Sequence, residues 1–324
     1  RSEGRKATRT HEGSVAEESE KVLIGASRIR ANSRDSRAVF CIVSPQTSVP
    51  RNFMNTPRRK FHSFVQGFAS VGLFVALTSA VLAADQTKPL KALMIAGGCC
   101  HDYTAQKKII SEGVSERAHV TWTIVHEGDD RMHRVSIYND PNWAKGYDVI
   151  VHNECYSQID DAAFVERIAA PHKAGVPAVM LHCASHSYRM APTDEWRQVL
   201  GIKSMSHEKR RDLLVKSLGM KHPVMVGFPA TWLVKQDECY KNEKVWPTVT
   251  PLATVFGEDT KKDHIVVWVN TYGKGRTFST TLGHGNTTME APIYLDLVAR
   301  GLLWACDKLK DDGKPKKGYG PGGR

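Results

Sequence analysis

From Leu90 onward the chain alternates short apolar runs with longer stretches whose apolar residues recur at helical spacing. Parallel strands need a crossover between them, and a helix is the usual one, so this order predicts a parallel sheet flanked by helices. Strands are expected over residues 91–96, 119–125, 147–152 and from Pro177 to Leu181. Helices are expected over 104–116 and 160–173, the second stopping at Gly175. Beyond Leu200 the regularity changes: residues 212–218, 231–234 and 252–256 read as short strands. Residues 264–269 and 276–282 flank the hairpin turn Thr271-Tyr272-Gly273-Lys274-Gly275. Residues 290–309 read as a closing amphipathic helix and 310–324 as an unstructured tail. Residues 85–309 thus form one α/β domain, mainly parallel, with an antiparallel hairpin extension on its later half.

The net charge of +11 invites a nucleic-acid reading until its position is considered. Residues 1–60 carry 13 Lys and Arg against 6 acids, and 308–324 carry 6 against 2, while 61–307 carries 26 of each. Phosphate binding needs a basic stripe on a folded surface, so no nucleic-acid partner is expected. Residues 54–84 have the form of an export signal: Arg58-Arg59-Lys60, a largely apolar run from Phe64 to Leu82, and a small-residue cleavage pattern at Val81-Leu82-Ala83. A cut is expected after Ala83 or Ala84, giving an exported, periplasmic or extracellular protein that meets a membrane only through that signal. Arg58-Arg59-Lys60-Phe61 also fits a loose twin-arginine pattern. Residues 1–53, rich in Arg, Ser and Glu and without periodicity, read as disordered or as an over-extended gene start.

Chemistry concentrates where strands end, because ligands of open α/β sheets bind outside the carboxyl ends of the strands. Four segments qualify. Gly97-Gly98-Cys99-Cys100-His101 follows the first strand, and Gly97 and Gly98 could bring backbone amides close to a substrate beside His101. Leu181-His182-Cys183-Ala184-Ser185-His186 follows the central strand and imitates a nucleophile elbow, but Leu181 and Ser185 stand where that turn carries glycine. Cys183 is therefore expected to pack, and His182 and His186 to carry the chemistry, as proton carriers or metal ligands. Ser206-His207-Glu208 and Gly283-His284-Gly285-Asn286 supply two more histidines. Asp237-Glu238-Cys239-Tyr240 adds two carboxylates and an aromatic, able to hold sugar hydroxyls or move a proton. Of seven cysteines, Cys41 lies in the leader; Cys99, Cys100, Cys155, Cys183, Cys239 and Cys306 show no C-x-x-C pair, and most read as buried free thiols.

Taken in order, these segments resemble the ThuA-like, or trehalose-utilization, family over about residues 90–309. The resemblance is carried by Gly97-Gly98 with His101, Leu181-His182-Cys183-Ala184-Ser185, Ser206-His207, Trp232 with Asp237-Glu238-Cys239-Tyr240, and Trp304-Ala305. Its most specific block runs from Tyr272-Gly273-Lys274-Gly275-Arg276 through Thr280-Thr281-Leu282-Gly283-His284. The family implies a flavodoxin-like, class I glutamine amidotransferase-like three-layer sandwich and a link to saccharide utilization. Glutaminase chemistry is not expected, because Asn286 stands where an acid would orient the His284 base. The expectation is a sugar-active enzyme taking a small saccharide, with His182, His186, His284 and Glu238 catalytic and Gly97, Gly98, His101, Trp232, Asp237 and Tyr240 binding substrate. A divalent metal such as zinc would be held by His101, His182, His207 and His284. The alternative is a non-catalytic carbohydrate-binding or scaffold protein with exposed Trp232, Tyr240 and Trp246.

Overall fold

The computed structural model describes residues 87–324, so the leader and the signal-like segment lie outside the described residues. Its main sheet has nine strands: β1 (Leu90–Gly98), β2 (Val120–His126), β3 (Val149–Cys155), β4 (Ala178–Leu181), β6 (Arg211–Ser217), β7 (Thr231–Asp237), β9 (Thr250–Gly257), β10 (Lys262–Tyr272) and β11 (Gly275–Thr280). The spatial order is β2-β1-β3-β4-β11-β10-β9-β6-β7. From β2 to β11 every pairing is parallel, with Ala92 opposite Val149 and Leu181 opposite Thr280. From β11 to β7 every pairing is antiparallel. The sheet is thus mixed, with a parallel half and an antiparallel half meeting at β11. A separate ribbon pairs β5 (Ile202–His207) with β8 (Tyr240–Val245).

Helices cover both faces. Helices α1 (Tyr103–Ser115) and α5 (Pro292–Ala305) pack Ile110, Val114, Val298 and Leu302 onto the side of the sheet that carries Met94, Val151 and Phe278. On the other side, α2 (Ala162–Ala174) and α3 (Glu195–Leu200) bring Val165, Ile168, Trp196 and Val199 against Ile95, Ile150 and Met180. The Asp102 and Asp161 side chains accept the amides of Ala105 and Phe164, capping α1 and α2. At Gly301 α5 approaches the sheet so closely that an added Cβ would lie 2.2 Å from the Phe278 ring.

The structure departs from the sequence reading in three places. The closing helix is broken: Ala291 is extended (φ −60°, ψ 129°) between α4 (Asn286–Glu290) and α5, because a residue before proline avoids helical geometry while Pro292 starts a helix well. Strands β5 and β8 were not foreseen, since neither carries an apolar run. Residues 310–324, expected to be unstructured, fold back over the sheet edge. Lys316 N–H donates to the Lys308 carbonyl (2.8 Å), His119 N–H to the Tyr319 carbonyl (2.9 Å), and Tyr319 packs on the core.

A buried polar chain crosses the α2 side. His172 Nδ1 lies 2.9 Å from the Val176 carbonyl, His152 Nε2 3.1 Å from His172 Nε2, and His152 Nδ1 2.9 Å from Glu154 Oε1. A carbonyl only accepts, so His172 carries its proton on Nδ1 and accepts at Nε2. His152 must then donate from Nε2 and accept at Nδ1, and a protonated Glu154 carboxyl supplies the missing donor. Burial pushes Glu154 up to about 8, against hydrogen bonds from Tyr138 and Tyr188, and pushes His152 and His172 down to about 3.

Candidate functional site

Beyond the carboxyl ends of β1, β3, β4 and β11, and beneath the β7–β8 turn, lies a cavity of about 100 Å³ bordered by His101, Glu238, Tyr240 and His284. Each wall comes from a strand end, which is why four sequence segments far apart in the chain meet here. His182 opens the turn after β4 with φ +43°, a left-handed conformation that non-glycine residues rarely adopt. This strain turns the ring toward β11, where Nδ1 lies 2.6 Å from the Thr281 carbonyl. Nδ1 therefore carries a proton, which leaves Nε2 turned toward Tyr240 and Glu238. There it stands 3.4 Å from the Tyr240 hydroxyl and 3.5 Å from Glu238 Oε2.

Two further rings complete a triad. The His101 centroid is 4.7 Å from His182 and 4.8 Å from His284. One ring nitrogen from each of His101, His182 and His284 falls within 4.8 Å of the others. Burial and the two neighbouring imidazoles hold His101 down to about 3, so it is neutral and keeps a lone pair at physiological pH. His182 moves the other way: burial opposes its charge, but Glu238 and Asp237 outweigh burial and raise it. Glu238 Oε1 is 3.1 Å from His284 Nδ1. Yet that buried nitrogen has no aligned hydrogen-bond partner among the described residues. Proximity without alignment is what a lone pair aimed at a third body would show. Donors around a tetrahedral zinc stand about 3.3 Å apart, close to the Glu238 distances and within a modest side-chain shift of the three rings. The residues present fit a divalent transition metal.

The paired carboxylates have different roles. Asp237 is fully buried, and its oxygens accept the amides of Glu238 (2.8 Å), Gly283 (2.9 Å) and His284 (3.3 Å). It positions the His284 loop and does not border this cavity, which corrects its assignment to substrate. Glu238 faces the rings, and its contacts to His182 and His284 hold its carboxyl well below the usual range despite burial. His207 stands one layer out, with Nε2 3.7 Å from Glu238 Oε1, and falls outside the three-ring cluster. His186 is also outside it: Nε2 bonds the Ser204 hydroxyl at 2.9 Å and the ring stacks on Tyr240 at 3.9 Å. Burial, then Arg189 and His207, push His186 well down, so it supports Tyr240 as a neutral ring.

Three more expectations need correction. Gly97 and Gly98 do not line the cavity; at φ +131° and +93° they let β1 pass within 2.0 and 2.4 Å, measured from a hypothetical Cβ, of the Glu127 and Cys155 carbonyls. The Gly98 amide is already bonded to the Gly128 carbonyl. Trp232 sits at the opposite end of β7 from Asp237, packed edge-on to Phe228, and Trp246 at the far end of β8 lies under Lys244. Of the three aromatics expected of a sugar binder, Tyr240 alone borders this cavity. Most cysteines are not free thiols: Cys99 pairs with Cys100 and Cys155 with Cys183, which rules Cys183 out as a free nucleophile in this state. Among the described residues Cys239 is a buried free thiol and Cys306 a half-buried one, their thiols pushed up to about 12 by burial. The sequence reading missed Arg131 and Arg189, which reach the cavity from loops without a recognisable motif. Glu208, beside His207, is saturated by Arg211 and the amides of Glu258 and Asp259 and serves structure.

Comparison with known proteins agrees with this architecture. The chain is similar to the crystal structure of a ThuA-like protein from Parabacteroides merdae, at 20% identity and a TM-score of 0.53, over 72% of this chain and 97% of that one. A ThuA-like protein from Bacteroides uniformis is similar at 15% identity and a TM-score of 0.51, over 71% and 96% of the two chains. Both likenesses concern the fold. No curated protein sequence matches the chain. The family described as ThuA, trehalose utilisation, matches residues 91–305, which include every residue of the histidine cluster. By that match the chain belongs to the ThuA family.

Proposed function

We propose that the protein is a metal-dependent enzyme acting on a saccharide, with His101, His182 and His284 as ligands and Glu238 as the carboxylate beside them. The observation that carries this is the approach of one ring nitrogen from each of three histidines to within 4.8 Å of the others, with the buried His284 Nδ1 lacking a hydrogen-bond partner among the described residues. A divalent ion there would polarise a sugar oxygen. The chain's own groups supply the rest: Thr281 fixes the His182 tautomer, Asp237 holds the His284 loop, and Glu238, kept ionised, accepts a hydrogen bond from a hydroxyl of the bound sugar. His207, on the solvent side of Glu238, stands where that hydroxyl's proton can leave. The inner cavity admits a reacting group rather than a disaccharide, but a groove of about 540 Å³ lined by Asp102, Arg210 and Asn286 shares its His101 and His284 wall. These polar side chains suit the hydroxyls of a sugar ring. The trehalose link of the family supports a disaccharide or its derivative as the substrate class, and the signal-like residues 54–84 support a site of action outside the cytoplasm, which cell fractionation tests.

Metal analysis of the untagged full chain tests the reading. One equivalent of a divalent transition metal, lost in H182A and H284A, is the expected result. Because His182 is buried, H101A serves as a second variant with a partly exposed ring, and far-UV circular dichroism checks each fold. A folded wild-type protein that takes up no zinc, manganese, iron, cobalt or nickel on equilibrium dialysis overturns the metal reading. Intact sugar binding in these variants, with no turnover across a panel of glycosides and keto-sugars, would establish the binding protein instead.

A further inference from the structure

Four cysteines from three strand ends meet at the rim of the histidine cavity. Cys99 and Cys100 follow β1, Cys155 ends β3 and Cys183 follows β4. We propose that they form a dithiol–disulfide relay, in which the exposed Cys99–Cys100 disulfide takes an electron pair from an external dithiol and passes it to the buried Cys155–Cys183 disulfide. This inference does not depend on the metal reading.

Several observations converge on it. A bond between adjacent residues closes no chain loop, so the Cys99–Cys100 disulfide removes almost no conformational freedom from the unfolded chain and has no stapling role. Cys100 also holds φ +86°, a left-handed conformation unfavourable for a side chain with a Cβ. Such strain with no stabilising return marks sites kept for chemistry. Access is graded: Cys100 is exposed, Cys99 half-buried, and Cys155 and Cys183 are buried at 3% and 8%. An outside thiol therefore meets the first pair and not the second. The two pairs are in contact, with Cys99 Sγ 3.8 Å from Cys155 Sγ. Arg131 completes the site, its Nε 3.3 Å from Cys99 Sγ and its Nη2 3.8 Å from Cys100 Sγ.

The steps balance. The external dithiol attacks Cys100 Sγ, the S–S bond to Cys99 breaks, and Cys99 leaves as a thiolate beside Arg131. The second thiol of the dithiol attacks the mixed disulfide, leaving as a cyclic or intramolecular disulfide and releasing Cys100 as a thiol. Cys99 thiolate then attacks Cys155 Sγ and expels Cys183, which takes up a proton. Cys100 thiolate attacks Cys99 Sγ, re-forms the Cys99–Cys100 bond and releases Cys155, which is protonated in turn. The net change is oxidation of one dithiol and reduction of Cys155–Cys183 to two thiols lining the cavity.

The test uses the full chain, dithiothreitol as the dithiol, and timed alkylation followed by peptide mass mapping. In the wild type, Cys155 and Cys183 become alkylated soon after dithiothreitol is added. In the C99S/C100S double variant, their reduction slows by about tenfold or more, because the buried pair must wait for local opening. In C100S, which cannot complete the last step, a Cys99–Cys155 linkage accumulates with Cys183 free. An unchanged rate of Cys155–Cys183 reduction in C99S/C100S overturns the relay. So does untreated wild-type protein in which Cys99 and Cys100 are both alkylated without reductant. A folded C100S that yields no Cys99–Cys155 peptide removes the proposed order of attack.

Discussion

Replacing Glu154 by Gln should abolish a pH-dependent loss of stability that the buried polar chain imposes on the wild type. The carboxyl is pushed from its usual 4.5 up to about 8, mainly by burial. In the unfolded chain it ionises near its usual value, so between the two values the folded state binds more protons and stability falls as pH rises. At about 1.4 kcal/mol per unit, the fall between about pH 6 and about pH 8 is roughly 2 kcal/mol. Gln keeps the shape, can donate from its amide to His152 Nδ1 and still accepts from a tyrosine, but it does not ionise. Urea denaturation of both proteins across this window should show the wild type losing about 2 kcal/mol relative to E154Q. Below about pH 6 both should weaken together. His152 and His172 are held down to about 3 by burial, so the unfolded state takes up protons that the folded state refuses. If the difference between the two proteins stays constant from pH 6 to pH 8, Glu154 is ionised in the fold and the assigned tautomers are wrong.

Other expectations follow from single contacts. D237N turns one of the two oxygens that accept three amides into an NH2 donor and should weaken metal uptake by about 10- to 100-fold without touching a ligand, as read by competition with a chromogenic chelator. Unchanged affinity would remove Asp237 from its positioning role. G301V places methyl groups inside the Phe278 ring and should cost about 3 kcal/mol or more in urea denaturation, whereas a loss below about 1 kcal/mol would mean that α5 can lift away. The C155S/C183S variant opens a 28-residue loop and should lose about 3.6 kcal/mol relative to oxidised wild type. Despite its lysines, the 310–324 segment should resist limited trypsin digestion. Its rapid loss with an intact remainder would show that the contacts of Tyr319 with His119 and Lys308 do not hold in solution.

The parallel half was readable because its strands are buried on both faces and announce themselves as unbroken apolar runs, as at Ala178-Val179-Met180-Leu181. Ribbon strands β5 and β8 were not, since Lys203, Ser206, Lys241, Glu243 and Lys244 break any such run and their pairing comes from tertiary context. Within the site, His101, His182, His284 and Glu238 could be named because unusual chemistry at a strand end has few packing explanations. Which of Asp237 and Glu238 faces the cavity could not, because it depends on the turn at Gln236, whose φ of +49° no sequence pattern signals. The cysteine pairing was equally hidden. Cys155 and Cys183 meet only because β3 lies beside β4, and strand order is not written in spacing.

The place of β11 also sets an order of assembly. This strand arrives almost last in the chain, yet it must fill the position between β4 and β10, and its end supplies the Thr281 carbonyl that aims His182. Until it docks, β4 has a bare edge and the histidines have no common focus. A growing or refolding chain therefore holds His284 apart from His101 and His182 through most of its history, and non-local closure of this kind is slow. Competence for chemistry should thus appear as a late kinetic phase, after most helix has formed. A chain cut short before residue 275 should keep parts of the parallel layer but never acquire the site.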